Sequence, residues 1–120
     1  MPDYPVSALH PEVRLFLVKN RRFFGAGPFR LLSLLQKSQS LSDACKKMNL
    51  SYSKGLRIIN NIEEELGIKV VVKTRGGSKG GQTTLTAAGR ELLARYESFS
   101  KECQQIVRDR FYKYFGEAWE

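Results

Sequence analysis

Two serine-capped helical patterns joined by a turn, followed at once by two β-branched runs around a glycine cluster, constrain this chain most, between Ser40 and Leu85. Ser40-Leu41-Ser42-Asp43 resembles a capping box, in which the Ser40 hydroxyl satisfies an orphan amide of the first turn and Asp43 reaches back. The helix it opens is short, with Ala44, Cys45 and Met48 on an apolar face. Asn49 suits a left-handed terminator, and Leu50 anchors the turn. Ser51 caps a second helix, on which Tyr52, Gly55, Ile59, Ile62 and Leu66 fall on one side, and Gly67 ends it. Val70 to Lys73 and Thr83 to Leu85 read as strands, separated by Thr74-Arg75-Gly76-Gly77-Ser78-Lys79-Gly80-Gly81-Gln82.

The flanks complete a small architecture. Residues 1–11 are rich in proline and read as a loosely ordered arm. Glu12 to Lys19 has a mixed period-two pattern consistent with a short strand, ending at the basic, hairpin-like stretch Asn20-Arg21-Arg22. A first helix is expected from Pro28 to Lys37, because proline suits a first turn, with Leu31, Leu34 and Leu35 inward and Phe29 and Leu32 on the flanks. Thr86 caps a long final helix from Ala87 to about Tyr114, with Gly89 as its weak point. Along it Leu92, Leu93, Tyr96, Phe99, Cys103, Ile106, Val107, Phe111 and Tyr114 form a stripe at spacings of three and four. A core of this size cannot cover so many turns. The stripe either packs back on the N-terminal elements or pairs with a second copy, through Leu92, Tyr96, Phe99, Cys103, Ile106, Val107 and Phe111. Phe111, Tyr112, Tyr114, Phe115 and Trp119 would seal that contact, or lie on the surface of a frayed end.

The order of elements is that of a winged helix-turn-helix: mainly α (α+β), with an N-terminal strand, a β-hairpin wing and a long C-terminal dimerisation helix. The expected organisation is an arm at 1–11, the winged domain at 12–86, and the dimerisation helix with its aromatic tail at 87–120.

Charge says what such a domain would hold. The 120 residues carry 20 Lys+Arg against 12 Asp+Glu, a formal +8, which favours a polyanion such as nucleic acid or an anionic membrane. No apolar run approaches the roughly 20 residues needed to span a bilayer, and the N-terminus has neither a basic nor an apolar leader region, so a cytoplasmic protein is expected. Cys45 and Cys103 stand on separate helices without metal-ligand spacing, so no metal or cofactor is expected. His10 is the only histidine, and no carboxylate pair, Ser/His or Cys/His set falls on converging elements; an enzyme is not expected.

On the second helix, Ser53, Lys54, Arg57 and Asn61 project away from Ile59, with Leu56 and Asn60 at the borders. Glu63, Glu64 and Glu65 come only in the last turn, where they would be lifted clear of a phosphate backbone. An amphipathic helix with a solvated outer face would share this pattern. From Leu66 through Arg90 there are five basic residues and no acid. A glycine-rich tip lets Gly76 and Gly77 bring backbone amides to phosphate while Lys73, Arg75 and Lys79 reach a groove or the backbone. The phosphate-loop spacing G-x-x-x-x-G-K-[ST] is absent, and a plain flexible linker is the competing reading.

Two families share these residues. Ser51-Tyr52 through Gly67, then Arg75-Gly-Gly-Ser-Lys-Gly-Gly-Gln-Thr-Thr-Leu-Thr-Ala-Ala-Gly-Arg-Glu-Leu-Leu-Ala-Arg-Tyr96, is similar to the N-terminal DNA-binding domain of ModE molybdate-responsive regulators. Ile59, Ile62 and Glu63-Glu64-Glu65-Leu66-Gly67 resemble the helix-turn-helix of LysR-type regulators. The resemblance implies a recognition helix at Tyr52 to Leu66, a wing at Arg75 to Gly81 and a homodimer through the final helix. Leu56 stands where the ModE pattern often has tryptophan, so the operator need not be the family's. Nothing after Tyr96 matches molybdate-binding β-rich domains, and molybdate is not expected as a partner.

The expectation is a bacterial-type, sequence-specific duplex-DNA-binding regulator acting as a homodimer. Ser53, Lys54, Arg57 and Asn60 or Asn61 would read or approach base edges, Ser42 and Tyr52 would position phosphates, Ser51 at the helix start is counted with the DNA-binding residues, and Lys73, Arg75, Gly76, Gly77 and Lys79 would form the wing contact. The alternatives are a protein-interaction module working through the aromatic C-terminal helix and a non-specific architectural DNA binder.

Overall fold

The computed structural model of the chain describes residues 8–75 and 81–116. Among them are β1 (Leu17–Val18), β2 (Arg22–Phe24), α1 (Ala26–Ser38), α2 (Leu41–Lys47), α3 (Tyr52–Leu66), β3 (Val71–Thr74), β4 (Gln82–Leu85) and α4 (Ala87–Phe115). The strands form two antiparallel pairs, β1 with β2 and β3 with β4, and the whole is a winged helix-turn-helix with a long C-terminal helix.

Three side-chain caps fix the helix starts. The Asp43 amide donates to Ser40 Oγ, the Lys54 amide to Ser51 Oγ and the Gly89 amide to Thr86 Oγ1, each at 3.1 Å. Asn49 takes the left-handed conformation in the turn at φ 55°, and Gly67 ends α3 at φ 70°. At α1 the sequence expectation is corrected. The helix begins at Ala26, with the Phe29 amide donating to the Gly25 carbonyl at 2.9 Å. Pro28 sits inside the first turn, where no amide has an intrahelical acceptor, so it is tolerated there without being the start.

The core joins Phe24, Leu31, Leu32, Leu35, Leu41, Ala44, Ile59, Ile62, Val70, Leu85, Leu93 and Tyr96. Leu32 takes the inward place expected of Leu34, which is half-buried on the flank. Removing these side chains from water supplies the main drive to fold. At two points helices approach too closely for a β-carbon. A Cβ on Gly55 would lie 2.3 Å from Cys45 Sγ, and one on Gly89 would lie 2.3 Å from the Val70 carbonyl oxygen. Gly89, expected as a weak point of α4, is therefore the place where α4 seats against the wing. The same carbonyl accepts from the Thr86 amide at 3.0 Å.

The N-terminal strand also differs from expectation. Only Leu17–Val18 is strand, and Arg22–Phe24 returns beside it as a hairpin with an irregular register, Leu17 opposite Phe24 and Val18 opposite Arg22. Phe23 and Phe24 are both buried, so β2 lacks the alternation that would have shown it in the sequence.

Candidate nucleic-acid interface

α3 is built to present one face outward. Its inner side is set by Gly55, Ile59 and Ile62. At 100° per residue Ser53, Arg57 and Asn60 then point away from the core, with Lys54 beside them, and all four are exposed. Neither Lys54 nor Arg57 makes an ion pair among the described residues, so both side chains keep their charge toward solvent. Asn61 is half-buried and shares a cleft with Arg22, Phe23 and Ile58, placing it on the flank of the outward face.

The acids of the last turn are held by the chain itself. Glu63 accepts from the Val70 and Val71 amides at 2.9 and 3.3 Å and pairs with Lys69 at 3.4 Å, which ties the end of α3 to the start of β3. Glu65, 6% exposed, accepts from the Asn20 and Arg21 amides at 2.8 and 3.3 Å. Glu64 pairs with Arg21. The sequence shows these carboxylates gathered in the last turn of the helix; their work as anchors for the wing and for the hairpin is what it did not show.

The wing stands on the other flank of α3. β3 and β4 pair in register from Val71 opposite Leu85 to Thr74 opposite Gln82. The Thr83 amide donates to the Gln39 carbonyl at 2.9 Å, fastening β4 to the end of α1. Lys73 Nζ lies 5.8 Å from the centroid of the Tyr52 ring, itself 47% exposed at the N-terminus of α3. Tyr52, Lys73, Thr74, Arg75, Gly81, Gln82 and Thr83 line an open cleft between helix and wing, with Lys73 and Arg75 exposed. Gly76, Gly77 and Lys79 lie outside the described residues. Ser42 is exposed on α2, while the Ser51 Oγ is occupied as the α3 cap. Arg90 turns from the site, donating to the Leu85 carbonyl at 2.9 Å.

The apolar stripe of α4 divides into two faces. Tyr96 belongs to the core of the chain: its hydroxyl donates to the Leu15 carbonyl at 2.9 Å, and its ring packs on Phe24 and Phe29 at 5.0 and 5.3 Å. These contacts leave Tyr96 7% exposed. Val107 is half-buried and shares a cleft with residues 10–14 of the extended N-terminal segment. Phe99 and Ile106 are 51% and 54% exposed on the other face, with Leu92 and Cys103 half-buried along it. Phe111 stacks on Phe115 at 5.3 Å; Trp119 lies outside the described residues.

No helix of the described residues is long and apolar enough to cross a membrane, and no group of three or more His, Cys, Asp or Glu among them could hold a metal.

Residues 28–90 match the pattern of the bacterial regulatory helix-turn-helix proteins of the lysR family. The chain is 36% identical over 73 residues to the HTH-type transcriptional regulator TdcA of Escherichia coli (strain K12), covering 61% of this chain and 22% of TdcA. It is 32% identical over 78 residues to the molybdenum transport protein ModE of Azotobacter vinelandii, covering 65% of this chain and 29% of ModE. To the molybdenum-pterin-binding protein MopB of Rhodobacter capsulatus it is 36% identical over 75 residues, covering 60% of this chain and 27% of MopB. The chain thus spans about a quarter of the length of the curated relatives it matches. With α1 from its third residue, the helix-turn-helix and both wing strands inside the matched residues, the chain belongs to the lysR family of bacterial regulatory helix-turn-helix proteins.

Proposed function

We propose that this protein is a transcription regulator that binds duplex DNA sequence-specifically as a homodimer, with α3 in the major groove and the basic wing on the backbone or in the minor groove. The observation that carries this reading is the outward face of α3. Ser53, Lys54, Arg57 and Asn60 are exposed together, while the acids of the same helix are drawn into contacts with the chain's own backbone and cations. Arg57 has the geometry to bond O6 and N7 of guanine together, Asn60 and Asn61 suit adenine, and Tyr52, Ser42, Lys73 and Arg75 suit phosphates.

A homodimer is supported by the exposed face of α4. Phe99 and Ile106 stand exposed seven residues apart, the spacing that lets two helices meet along a seam, and Leu92, half-buried against the core, lies seven residues before Phe99. A two-fold axis through that seam would bring two copies of α3 to the same side of a duplex. The reading calls on no catalysis.

The test is retention of mixed genomic duplex fragments by the purified chain over a salt series, with sedimentation in parallel. A dimer whose binding weakens linearly on a log–log plot of affinity against salt supports the reading. Absence of DNA retention at low salt overturns it, and leaves α4 as the docking face of a protein-interaction module.

A further inference from the structure

We propose that the β1–β2 hairpin is a second backbone-binding arm, in which Arg22 contacts a phosphate on the flank of α3 opposite the wing. The inference rests on the DNA-binding reading and adds to it a contact from outside the family match, which starts at residue 28.

The hairpin is fixed to the recognition helix rather than trailing from it. Besides the two amides held by Glu65, Lys19 Nζ donates to the Glu65 carbonyl at 3.1 Å. Its cations then divide by what they meet. Lys19 is engaged at the end of α3, and Arg21 is paired with Glu64 and lies 3.6 Å from Glu65. Arg22 has no acidic partner among the described residues; its guanidinium lies 3.8 Å from the centroid of the Phe16 ring. An aromatic face orients a guanidinium without neutralising it, so Arg22 is exposed, positioned and fully charged.

Its position relative to α3 decides what it can reach. Arg22 lines the cleft that also holds Ile58 and Asn61, halfway along the helix. Around the helix axis Lys54 and Asn61 lie on this flank, and Tyr52, under Lys73, lies on the other. A helix seated in a major groove about 12 Å wide has a phosphate row on each side. The wing supplies Lys73 to one row, and the hairpin supplies Arg22 to the other.

The experiment uses the full chain and a duplex it retains. Arg22→Gln is expected to lower the slope of log affinity against log salt by about one per subunit, with base preference kept, and Arg22→Lys to restore the slope. Phosphate-ethylation interference, compared between the unaltered chain and Lys73→Gln, gives a second readout that does not depend on an Arg22 variant folding. Two rows of sensitive phosphates are expected, one lost in Lys73→Gln and the other persisting. A single row that disappears in Lys73→Gln, or an Arg22→Gln slope equal to that of the unaltered chain, overturns the arm while leaving DNA binding standing. Failure of the unaltered chain to retain any duplex overturns the DNA-binding reading and the arm with it.

Discussion

The sulfur of Cys45 occupies the space that a side chain on Gly55 would need, with a Cβ there only 2.3 Å from Sγ. α2 and α3 therefore cross at a contact of glycine on thiol, and Leu41 Cδ1 closes the same site at 3.5 Å. This crossing sets the angle at which α3 is presented.

Gly55→Ala is expected to destabilise the protein by about 1–3 kcal/mol through overpacking, outweighing a helix-propensity gain of up to about 1 kcal/mol. Combining it with Cys45→Ala should recover most of the loss, because the methyl group then fills the space left by sulfur. Urea unfolding of the two variants checks this; Gly55→Ala as stable as the unaltered chain would show that the helices part without cost.

Glu65 joins α3 to the hairpin, and its removal should loosen that joint. Glu65→Ala leaves the part-buried Asn20 and Arg21 amides without their acceptor, at about 0.5–1.5 kcal/mol for each hydrogen bond lost. Glu65→Gln keeps an acceptor oxygen and should cost less. Hydrogen exchange at Asn20 and Arg21 reports it directly: faster in Glu65→Ala, with protection in Glu65→Gln closer to that of the unaltered chain.

These two joints show where sequence reasoning reaches and where it stops. Caps at Ser40, Ser51 and Thr86 were legible because a hydroxyl three residues before the amide it accepts is a local pattern. The core-facing side of α3 was legible by periodicity, and the two wing strands by their β-branched residues on either side of a glycine cluster. Glu65 was not, since nothing local distinguishes a carboxylate that anchors a hairpin 44 or 45 residues away from its neighbour Glu64, which faces solvent. β2 was hidden because Arg21-Arg22 reads as a turn and Phe23-Phe24 has no alternation. Tyr96 fell within a helical stripe, but its hydroxyl bond to Leu15, 81 residues away, is a tertiary contact. Ser53, Lys54 and Arg57 followed from the wheel, but Asn60 and Asn61 exchange places: Asn60, expected at the border, is exposed, and Asn61, expected outward, is half-buried against the hairpin. Arg22 beside that helix depended on how the hairpin docks.

Arg57→Ala is expected to relax base preference at one position of each half-site, losing about 1–3 kcal/mol of discrimination there. Lys73→Ala should instead weaken all sequences alike and lower the salt slope by about one. Competition binding with single-base variants separates the two; equal weakening across all variants in Arg57→Ala would make Arg57 a phosphate contact.

Alkaline pH should weaken the fold. Burial pushes the Cys45 thiol above its ordinary 9.0, partly offset by a hydrogen bond from the Gly55 backbone, and pushes the Tyr96 hydroxyl above its ordinary 10.0. The folded chain then holds these protons to higher pH than the unfolded chain, so their contribution is complete below the unfolded values and is lost as pH rises through the folded ones. Thermal melts should be level up to about pH 8.5 and fall beyond about pH 9, with the onset later in Cys45→Ala. A melting temperature that climbs between about pH 9 and pH 11 would contradict the assignment.

The central claim is that α3 reads sequence, two copies at a time. Genomic fragments retained by the purified chain at near-physiological salt should, when sequenced, share an inverted repeat with half-sites about one helical turn apart. Uniform recovery of all fragments would contradict sequence-specific reading and leave a non-specific backbone binder in its place.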